Sequence, residues 1–332
     1  MREAHIELVV GMPGVGKTYL TKQIIEKYVK IQQRPVLIFD INGGEYDNYE
    51  TIEYDANIES IQDRGKELRK FIQAKPHIRR IVPFVADKGH LRFMTVNEMR
   101  GVFEAVAQNV NRSLVLFEDI NKFETRFQKI DFVSTFASIR HGGGSGKGND
   151  LILQFQSIGK VPTSLWQNAN LLRIHNTSDN PNTYSKRIPN FFLVQVAWLI
   201  IGKRFREALA YLREREISYK DYKYVRQYFD KEKSTDLTAF MKGYGLEKKD
   251  LHEISKNTDK MFTCVWVDLQ ANQLSNATEE EFANGVKGYY EEFDPRKITN
   301  KMKLEKCSKD EAIRMLVENN RFYLDLPIQK KN

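Results

Sequence analysis

Residues 10–19 read VGMPGVGKTY, and this glycine-rich stretch decides the fold. The residues before it, Ile6 to Val10, are mostly apolar and β-branched, whereas residues 19–25 carry apolar side chains at helical spacing. The flanks therefore predict a strand that enters a helix through the glycines. This context is the one that the phosphate-binding pattern G-x-x-x-x-G-K-[ST] requires, and all of the fixed positions of the pattern are filled.

The stretch predicts a binding site for a nucleoside triphosphate. Glycines let backbone N–H groups converge on phosphate oxygens, and the helix N-terminus adds partial positive charge. Lys17 is expected to reach the β- and γ-phosphates, and the Thr18 hydroxyl to bind Mg²⁺. The alternative is an ordinary strand-to-helix turn. The predicted nucleotide-binding residues are Gly11, Pro13, Gly14, Val15, Gly16, Lys17, Thr18 and Tyr19.

The length and the cysteine content limit the classes of protein to which the chain can belong. A chain of 332 residues accommodates one large α/β domain with an appendage, or two domains. Two distant cysteines, Cys264 and Cys307, indicate neither a disulfide framework nor a zinc site, and they favour a reducing, cytoplasmic setting. The first strand begins too early for a signal peptide, and the apolar run at 191–201 is too short for a bilayer. We therefore expect a soluble protein without a membrane span.

Strands and helices alternate in the first part of the chain. After the first helix, which is expected to end near Gln33, short apolar runs predict strands at 36–40, 80–85, 114–117, 151–156 and 171–174. Pro83 favours an edge position for the second of these strands. Apolar periodicity predicts helices at 56–73, 96–110 and 131–140. This alternation predicts a mainly parallel sheet that is covered by helices on both faces.

The character of the chain changes beyond about residue 205. We divide it into a core at 1–205 and a smaller, basic, mostly helical C-terminal region at 206–332. The formal charge of +8 is compatible with a polyanionic partner. The densest basic stretch, residues 203–233, interleaves lysines and arginines with tyrosines and acidic residues. Such a stretch is equally typical of a surface that tracks a phosphate backbone and of a salt-bridged surface helix.

An acidic pair, Glu118 and Asp119, follows the apolar run at 114–117. Hydrolysis needs one carboxylate that fixes Mg²⁺ and another that orients the attacking water, both at the end of a strand beside the phosphate loop. The usual order is Asp then Glu, and here it is reversed. Glu118 is therefore assigned to the metal and Asp119 to the water, although the reversal leaves the individual roles open. The alternative is an acidic pair that caps the helix beginning near Asn121.

Gln156 and Arg140 complete the candidate site. Gln156 ends the strand at 151–156 and is predicted to sense whether a γ-phosphate is bound. The alternative is that Gln156 and Gln154 are amides at the edge of the strand without a function. Arg140 is predicted to reach the γ-phosphate of a neighbouring subunit, and the alternative is a plain surface arginine. The glycine-rich loop at 141–149 suits either contact with DNA or a flexible surface loop.

Together these motifs resemble the HerA/FtsK superfamily of P-loop ATPases, which includes DNA translocases, conjugation motors, viral packaging ATPases and zonular-occludens-toxin-like proteins. VGMPGVGKT is the Walker A segment, IFDINGGEY at 38–46 is similar to the D-P-H-G-E-Y signature, and LVLFEDI at 114–120 occupies the Walker B place. Arg140-His141, LILQFQS at 151–157 and LWQNANLLRIHNTSD at 165–179 are similar to the corresponding segments of viral and plasmid members. The resemblance covers about residues 5–180.

The resemblance implies a RecA-like (ASCE) fold, with ATP and Mg²⁺ bound at the interfaces of a homo-oligomeric ring, usually a hexamer, around double-stranded DNA. Toxin-like members commonly carry a membrane span. Because no span is expected in this chain, the resemblance favours genome packaging in the cytoplasm or on a virion. A capsid or portal protein is then a further expected partner. The alternatives are an assembly or extrusion factor that acts on protein, and a slow P-loop nucleotide switch. The implied catalytic residues are Lys17, Glu118, Asp119, Arg140 and Gln156, and the implied Mg²⁺ ligands are Thr18 and Glu118.

Overall fold

The structure is a computed structural model that describes residues 4–54, 65–142, 148–229, 234–269, 273–275, 290–292 and 311. Its strands are β1 Ile6–Val10, β2 Val36–Phe39, β3 Glu50–Thr51, β4 Ile78–Ile81, β5 Phe84–Asp87, β6 His90–Phe93, β7 Leu114–Phe117, β8 Asp150–Phe155, β9 Leu171–Ile174, β10 Val265–Asp268, β11 Gln273–Ser275 and β12 Tyr290–Glu292. Its α-helices are α1 Lys17–Gln32, α2 Gly65–Gln73, α3 Val96–Asn109, α4 Ile120–Arg126, α5 Phe132–His141, α6 Thr163–Asn168, α7 Phe191–Glu214, α8 Tyr219–Val225, α9 Thr235–Gly243 and α10 Lys248–Thr258.

Ten strands of the described part of the chain form one sheet in the order β12-β11-β10-β9-β1-β8-β7-β2-β4-β3. The pairs from β9 to β3 are parallel, whereas β10, β11 and β12 add an antiparallel edge beside β9. Strand β8 lies between β1 and β7, which is the additional strand of a RecA-like (ASCE) P-loop fold. The predicted fold class is therefore confirmed. Because the strands are parallel, the carboxyl ends of β1, β8 and β7 meet at one edge of the sheet.

Helices cover both faces of the central sheet. Along β1, Leu8 and Val10 belong to one buried cluster, and Val9 between them belongs to the other. The second cluster includes Ile25 and Tyr28 of α1, so α1 covers the face that Val9 presents. Strands buried on both faces are continuously apolar, and this explains why the predicted strand runs carry so few polar residues.

Most predicted elements lie within one or two residues of their observed bounds. The prediction at 96–110 is α3, which begins with a capping box. Thr95 Oγ1 accepts the N–H of Glu98 at 3.3 Å, and Glu98 Oε2 accepts the N–H of Thr95 at 2.7 Å. Of the helix predicted at 56–73, residues 65–73 are α2, and residues 56–64 lie outside the described residues.

The prediction of one edge strand at 80–85 is wrong. Strand β4 ends at Ile81 and lies inside the sheet between β2 and β3, and β5 begins at Phe84 in a separate hairpin with β6. The cause is Pro83, which has no N–H to donate and therefore interrupts the ladder. The carbonyl oxygen of Pro83 instead accepts the N–H of Met94 at 2.9 Å, which extends the pairing of β5 and β6 at the open end of the hairpin.

The described part of the C-terminal region contains a second hydrophobic core. It includes Ala208, Leu212, Tyr222 and Ile254, and it joins the end of α7 to α8, α9 and α10. The predicted boundary at 205/206 lies inside α7, which continues through it without interruption, and the division into two parts stays a prediction. The chain then returns to the main sheet as β10, which pairs with β9. No α-helix among the described residues is long and apolar enough to span a membrane.

Candidate nucleotide-binding site

The phosphate loop joins β1 to α1 at the carboxyl edge of the sheet. Gly14 and Gly16 have φ of +76° and +88°, in the left-handed region that glycine adopts without strain. Gly11 is required for close packing, since a Cβ at this position would lie 2.7 Å from His175 Cβ. The N–H of Met12 donates to Asn176 O at 2.9 Å and fixes the loop to the end of β9. The predicted strand-to-helix glycine loop is thus present.

Lys17 spans the mouth of this loop. Its ammonium donates to the carbonyl oxygens of Gly11 at 2.5 Å and of Met12 at 3.0 Å. Burial lowers the pKa of Lys17 to about 8, although the nearby carboxylates of Asp119 and Glu118 oppose the shift. The ammonium therefore lies where the loop is predicted to receive phosphate, and it is bonded there to the carbonyls of the loop.

Glu118 lies at the end of β7 beside the first turn of α1. Thr18 Oγ1 donates to Glu118 Oε1 at 3.3 Å, which brings together the two predicted Mg²⁺ ligands. Burial raises the pKa of the Glu118 carboxyl to about 8. The nearby carboxylates of Asp40, Glu45 and Asp119 add to the shift. The site therefore concentrates acidic charge that a divalent cation would offset.

Asp119 is at the N-cap of α4, yet its side chain makes no capping hydrogen bond. Both of its carboxylate oxygens accept from Gln156 Nε2, at 3.0 and 2.9 Å, and Lys122 Nζ lies 3.3 Å from Oδ2. The capping alternative therefore does not describe the Asp119 side chain. Glu118 lies next to Thr18, as expected for the carboxylate that binds the metal, and Asp119 lies next to Gln156, as expected for the carboxylate that orients water. The two roles stay predictions.

The two glutamines of the β8 segment have different surroundings. Gln156 lies just beyond β8, and its amide holds Asp119 at the site. Gln154 is buried and donates to Thr21 Oγ1 at 2.9 Å, a hydroxyl that also accepts from Arg173 at 3.0 Å. Gln154 therefore contributes to the packing of α1 on the sheet, whereas Gln156 belongs to the candidate site.

Arg140 lies away from the phosphate loop of its own chain. It is in the last turn of α5, and its carbonyl oxygen accepts the N–H of Asn149, directly before β8 begins. Its guanidinium donates twice to Ala4 O, at 3.1 and 2.8 Å, two residues before β1 begins. This is the amino edge of the sheet, opposite the phosphate loop. The role of Arg140 toward a neighbouring subunit stays a prediction, and Lys147 of the adjoining loop lies outside the described residues.

The segment after β2 contributes residues for which the sequence analysis predicts no role. Asp40 accepts the N–H groups of Gly43 at 2.9 Å and Tyr46 at 3.2 Å, and so shapes the turn. Asn42 donates to Glu118 Oε2 at 3.4 Å and accepts from Lys122 at 2.6 Å, so it links the acidic pair to α4. The similarity of this segment to the D-P-H-G-E-Y signature was the only available signal, and it identified the segment without indicating these contacts.

A cavity of about 1760 Å³ lies above the phosphate loop. The end of β7, α8, α9 and the start of β10 line it together with the loop. The basic stretch thus has two roles, and they overlap. Arg204, Lys220, Lys223 and Arg226 line the cavity, and several described basic residues form ion pairs, among them the cavity residue Arg226. These pairs are Lys203–Glu207, Arg215–Glu253 and Arg226–Asp259.

These residues fit a nucleoside triphosphate with Mg²⁺. Lys17 supplies an ammonium for phosphate oxygens, and Thr18 and Glu118 would hold the metal, whose remaining ligands come from phosphate and water. The described residues contain no group of three or more His, Cys, Asp or Glu side chains that could hold a metal ion. When bound, Mg²⁺ neutralises charge that develops on the phosphate oxygens. Asp119, held by Gln156, is the residue predicted to orient a water molecule and accept its proton.

The inserted strand β8, the phosphate loop and the acidic end of β7 define a P-loop NTPase of the RecA-like class. The model of the family described as "Helicase HerA, central domain" matches residues 4–271. The match covers most of the chain, so the chain belongs to this family. The family region includes the second core and β10, and it therefore extends well beyond residue 180, where the resemblance of the motifs ends.

Two of the solved structures that match the chain are those of a viral packaging protein and of a conjugation protein. The genome packaging NTPase B204 from Sulfolobus turreted icosahedral virus 2, in complex with sulfate, is 13% identical, with a TM-score of 0.41 over 82% of this chain and 96% of that chain. The conjugation coupling protein TcpA of pCW3 is 13% identical, with a TM-score of 0.30 over 56% of this chain and 52% of that chain. A comparison with curated proteins gives no match. The family assignment rests on the family model.

Proposed function

We propose that this chain is an ATP-hydrolysing DNA translocase that acts as a genome-packaging motor of a virus or mobile element. The observation that supports hydrolysis is the pairing of Glu118 with Thr18 and of Asp119 with Gln156 beside the phosphate loop. These contacts supply a metal-side and a water-side carboxylate at one edge of the sheet. Membership of a family named for a helicase and the net charge of +8 favour DNA as the substrate of the motor.

In this proposal the working form is a homo-oligomeric ring, a hexamer in most members of the superfamily, with double-stranded DNA in its channel. ATP and Mg²⁺ bind at the interfaces, where a neighbouring subunit completes each site. A capsid or portal protein is the proposed partner that receives the DNA. Packaging is favoured over export through a membrane because the described part of the chain has no helix that could span one.

The proposal predicts that double-stranded DNA stimulates ATP hydrolysis. The release of phosphate is measured with an oligomeric preparation, with and without DNA, at several salt concentrations. We expect an increase of about tenfold that weakens as salt rises, because contacts to the phosphate backbone release counterions. An ATPase that DNA leaves unchanged would contradict the translocase. Binding of a structural protein without salt-dependent binding of DNA would instead favour the assembly or extrusion factor.

Arg140 is predicted to act in trans across the subunit interface. Subunits with Arg140→Ala retain an intact loop, and subunits with Lys17→Ala retain the arginine. Mixing the two inactive variants should therefore restore part of the ATPase activity, because some interfaces combine an intact loop with an intact arginine. The measurement is phosphate release across a series of mixing ratios, with each variant alone as the control. If no ratio restores activity, the trans assignment is wrong.

The geometry of Asp119 favours a second candidate function, a slow nucleotide switch. Both oxygens of this carboxylate already accept from Gln156, and Asp119 has a positive φ of 48°. A shorter carboxylate in the water-side position must lie closer to the reacting phosphate than the usual glutamate. If it does not, nucleotide binds and is cleaved slowly. Turnover that is much slower than one per minute, with tight binding of ATP, would favour the switch.

A further inference from the structure

Lys223 of α8 lies across the tip of the phosphate loop. Its Nζ donates to Pro13 O at 3.1 Å. A Cβ added to Gly14 would overlap the Cε and Nζ atoms of Lys223, so the side chain occupies space that a glycine leaves open. Lys223 is separated from the loop by more than 200 residues of sequence. The contact therefore arises from the way the second core folds back over the nucleotide cavity.

The position of α8 is fixed by packing on both sides of Lys223. The preceding residue, Tyr222, is buried in the second core, and its hydroxyl is 2.5 Å from Thr258 Oγ1. Three residues after Lys223, Arg226 forms an ion pair with Asp259 at 2.8 Å. The backbone that carries Lys223 is thus anchored to α10 and to the turn that follows it. The exposed lysine extends from this anchored backbone into the cavity.

The present partner of the Lys223 ammonium is a neutral carbonyl oxygen. An ammonium attracts an anionic phosphate oxygen more strongly than a neutral carbonyl oxygen, because both partners of the bond then carry charge. A triphosphate in the loop would therefore draw the ammonium away from Pro13 O. Lys17 shows the same arrangement from the other side, because it too donates to carbonyl oxygens of the loop. The two ammonium groups are also close enough for Lys223 to contribute to the lowered pKa of Lys17.

We propose that Lys223 is a second phosphate-binding cation. Together with Lys17 it binds the phosphate tail of a nucleoside triphosphate, and it is supplied by α8 of the same chain. Helix α8 thereby forms one wall of the nucleotide site, and the contact that Lys223 makes depends on whether a triphosphate is bound. The proposal rests on the proposed function only in that the loop binds a nucleoside triphosphate. It concerns a residue within the chain and is independent of Arg140 and of any ring.

The test compares Lys223→Met with Lys220→Met. Both substitutions remove one positive charge from the same helix and the same cavity, but only Lys223 contacts the phosphate loop. The affinity for ATPγS with Mg²⁺ is measured by calorimetric titration of the full chain. We expect Lys223→Met to weaken binding about tenfold or more, and Lys220→Met to weaken it less than twofold. Thermal unfolding without nucleotide checks that both variants fold like the wild type.

Hydrogen exchange supplies a readout that does not depend on catalysis. ATPγS should slow amide exchange in α8 of the wild type and of Lys220→Met, and should leave it unchanged in Lys223→Met. Equal losses of affinity in the two variants would overturn the proposal, because they would mean that any positive charge in the cavity favours ATPγS and that the contact of Lys223 with the loop has no special effect. Wild-type affinity in Lys223→Met would overturn it as well. If the wild type itself binds no ATPγS, the proposed function fails, and this outcome is distinct from the other two.

Discussion

Lys17→Ala is expected to lower the affinity for ATPγS by about 10- to 100-fold, since it removes a charge-assisted hydrogen bond to phosphate. It is expected to reduce the ATPase rate by about 10²- to 10³-fold, because the same ammonium stabilises charge that develops in the transition state. Lys17 donates to two carbonyl oxygens at the mouth of the loop and is not part of the hydrophobic core. The substitution should therefore leave the fold intact.

The matched control is Lys30→Ala, which removes an exposed lysine from the last turn of the same helix. Titration calorimetry, phosphate release and thermal unfolding are measured for both variants. We expect Lys30→Ala to match the wild type in all three, and Lys17→Ala to match it in unfolding temperature alone. Undiminished affinity in Lys17→Ala would mean that the loop does not bind the phosphates, and the nucleotide site would have to be sought elsewhere.

The parts of the site that the sequence predicts are those whose residues lie close together along the chain. The phosphate loop is set by glycines within eight residues, so its geometry follows from local rules. The ends of β7 and β8 were identifiable because parallel strands present their carboxyl ends at one edge. The sequence therefore predicts that Glu118, Asp119 and Gln156 meet at this edge, where Gln156 contacts Asp119.

The parts that the sequence does not predict depend on tertiary packing. Lys223 reaches Pro13 only because α7, α8 and α10 form a second core that folds over the cavity. The two roles of the basic stretch could not be separated by charge pattern, since the acidic partners Glu253 and Asp259 lie some 30 to 40 residues away. The prediction of one strand at 80–85 is wrong because Pro83, which has no N–H for the ladder, divides this apolar run into β4 and β5.

Substitutions in the acidic pair are expected to separate the binding of Mg²⁺ from the chemical step. Glu118 contacts Thr18, so Glu118→Gln should remove the increase in ATPγS affinity that Mg²⁺ brings, along with turnover. Asp119 contacts Gln156, so Asp119→Asn should retain Mg²⁺-dependent binding while turnover falls about 10²-fold or more, as expected for the loss of a general base. Both substitutions are nearly isosteric, so the fold should be unaffected.

The decisive comparison is the affinity for ATPγS with and without Mg²⁺ in the two variants, beside the ATPase rate. Glu104→Gln serves as the control, because Glu104 lies on the exposed face of α3 and its substitution makes the same change of charge. If Asp119→Asn loses the effect of Mg²⁺ and Glu118→Gln keeps it, the two roles are exchanged. If neither substitution slows turnover, the acidic pair does not perform the chemistry, and the slow switch becomes the better account of a site that binds nucleotide through Lys17.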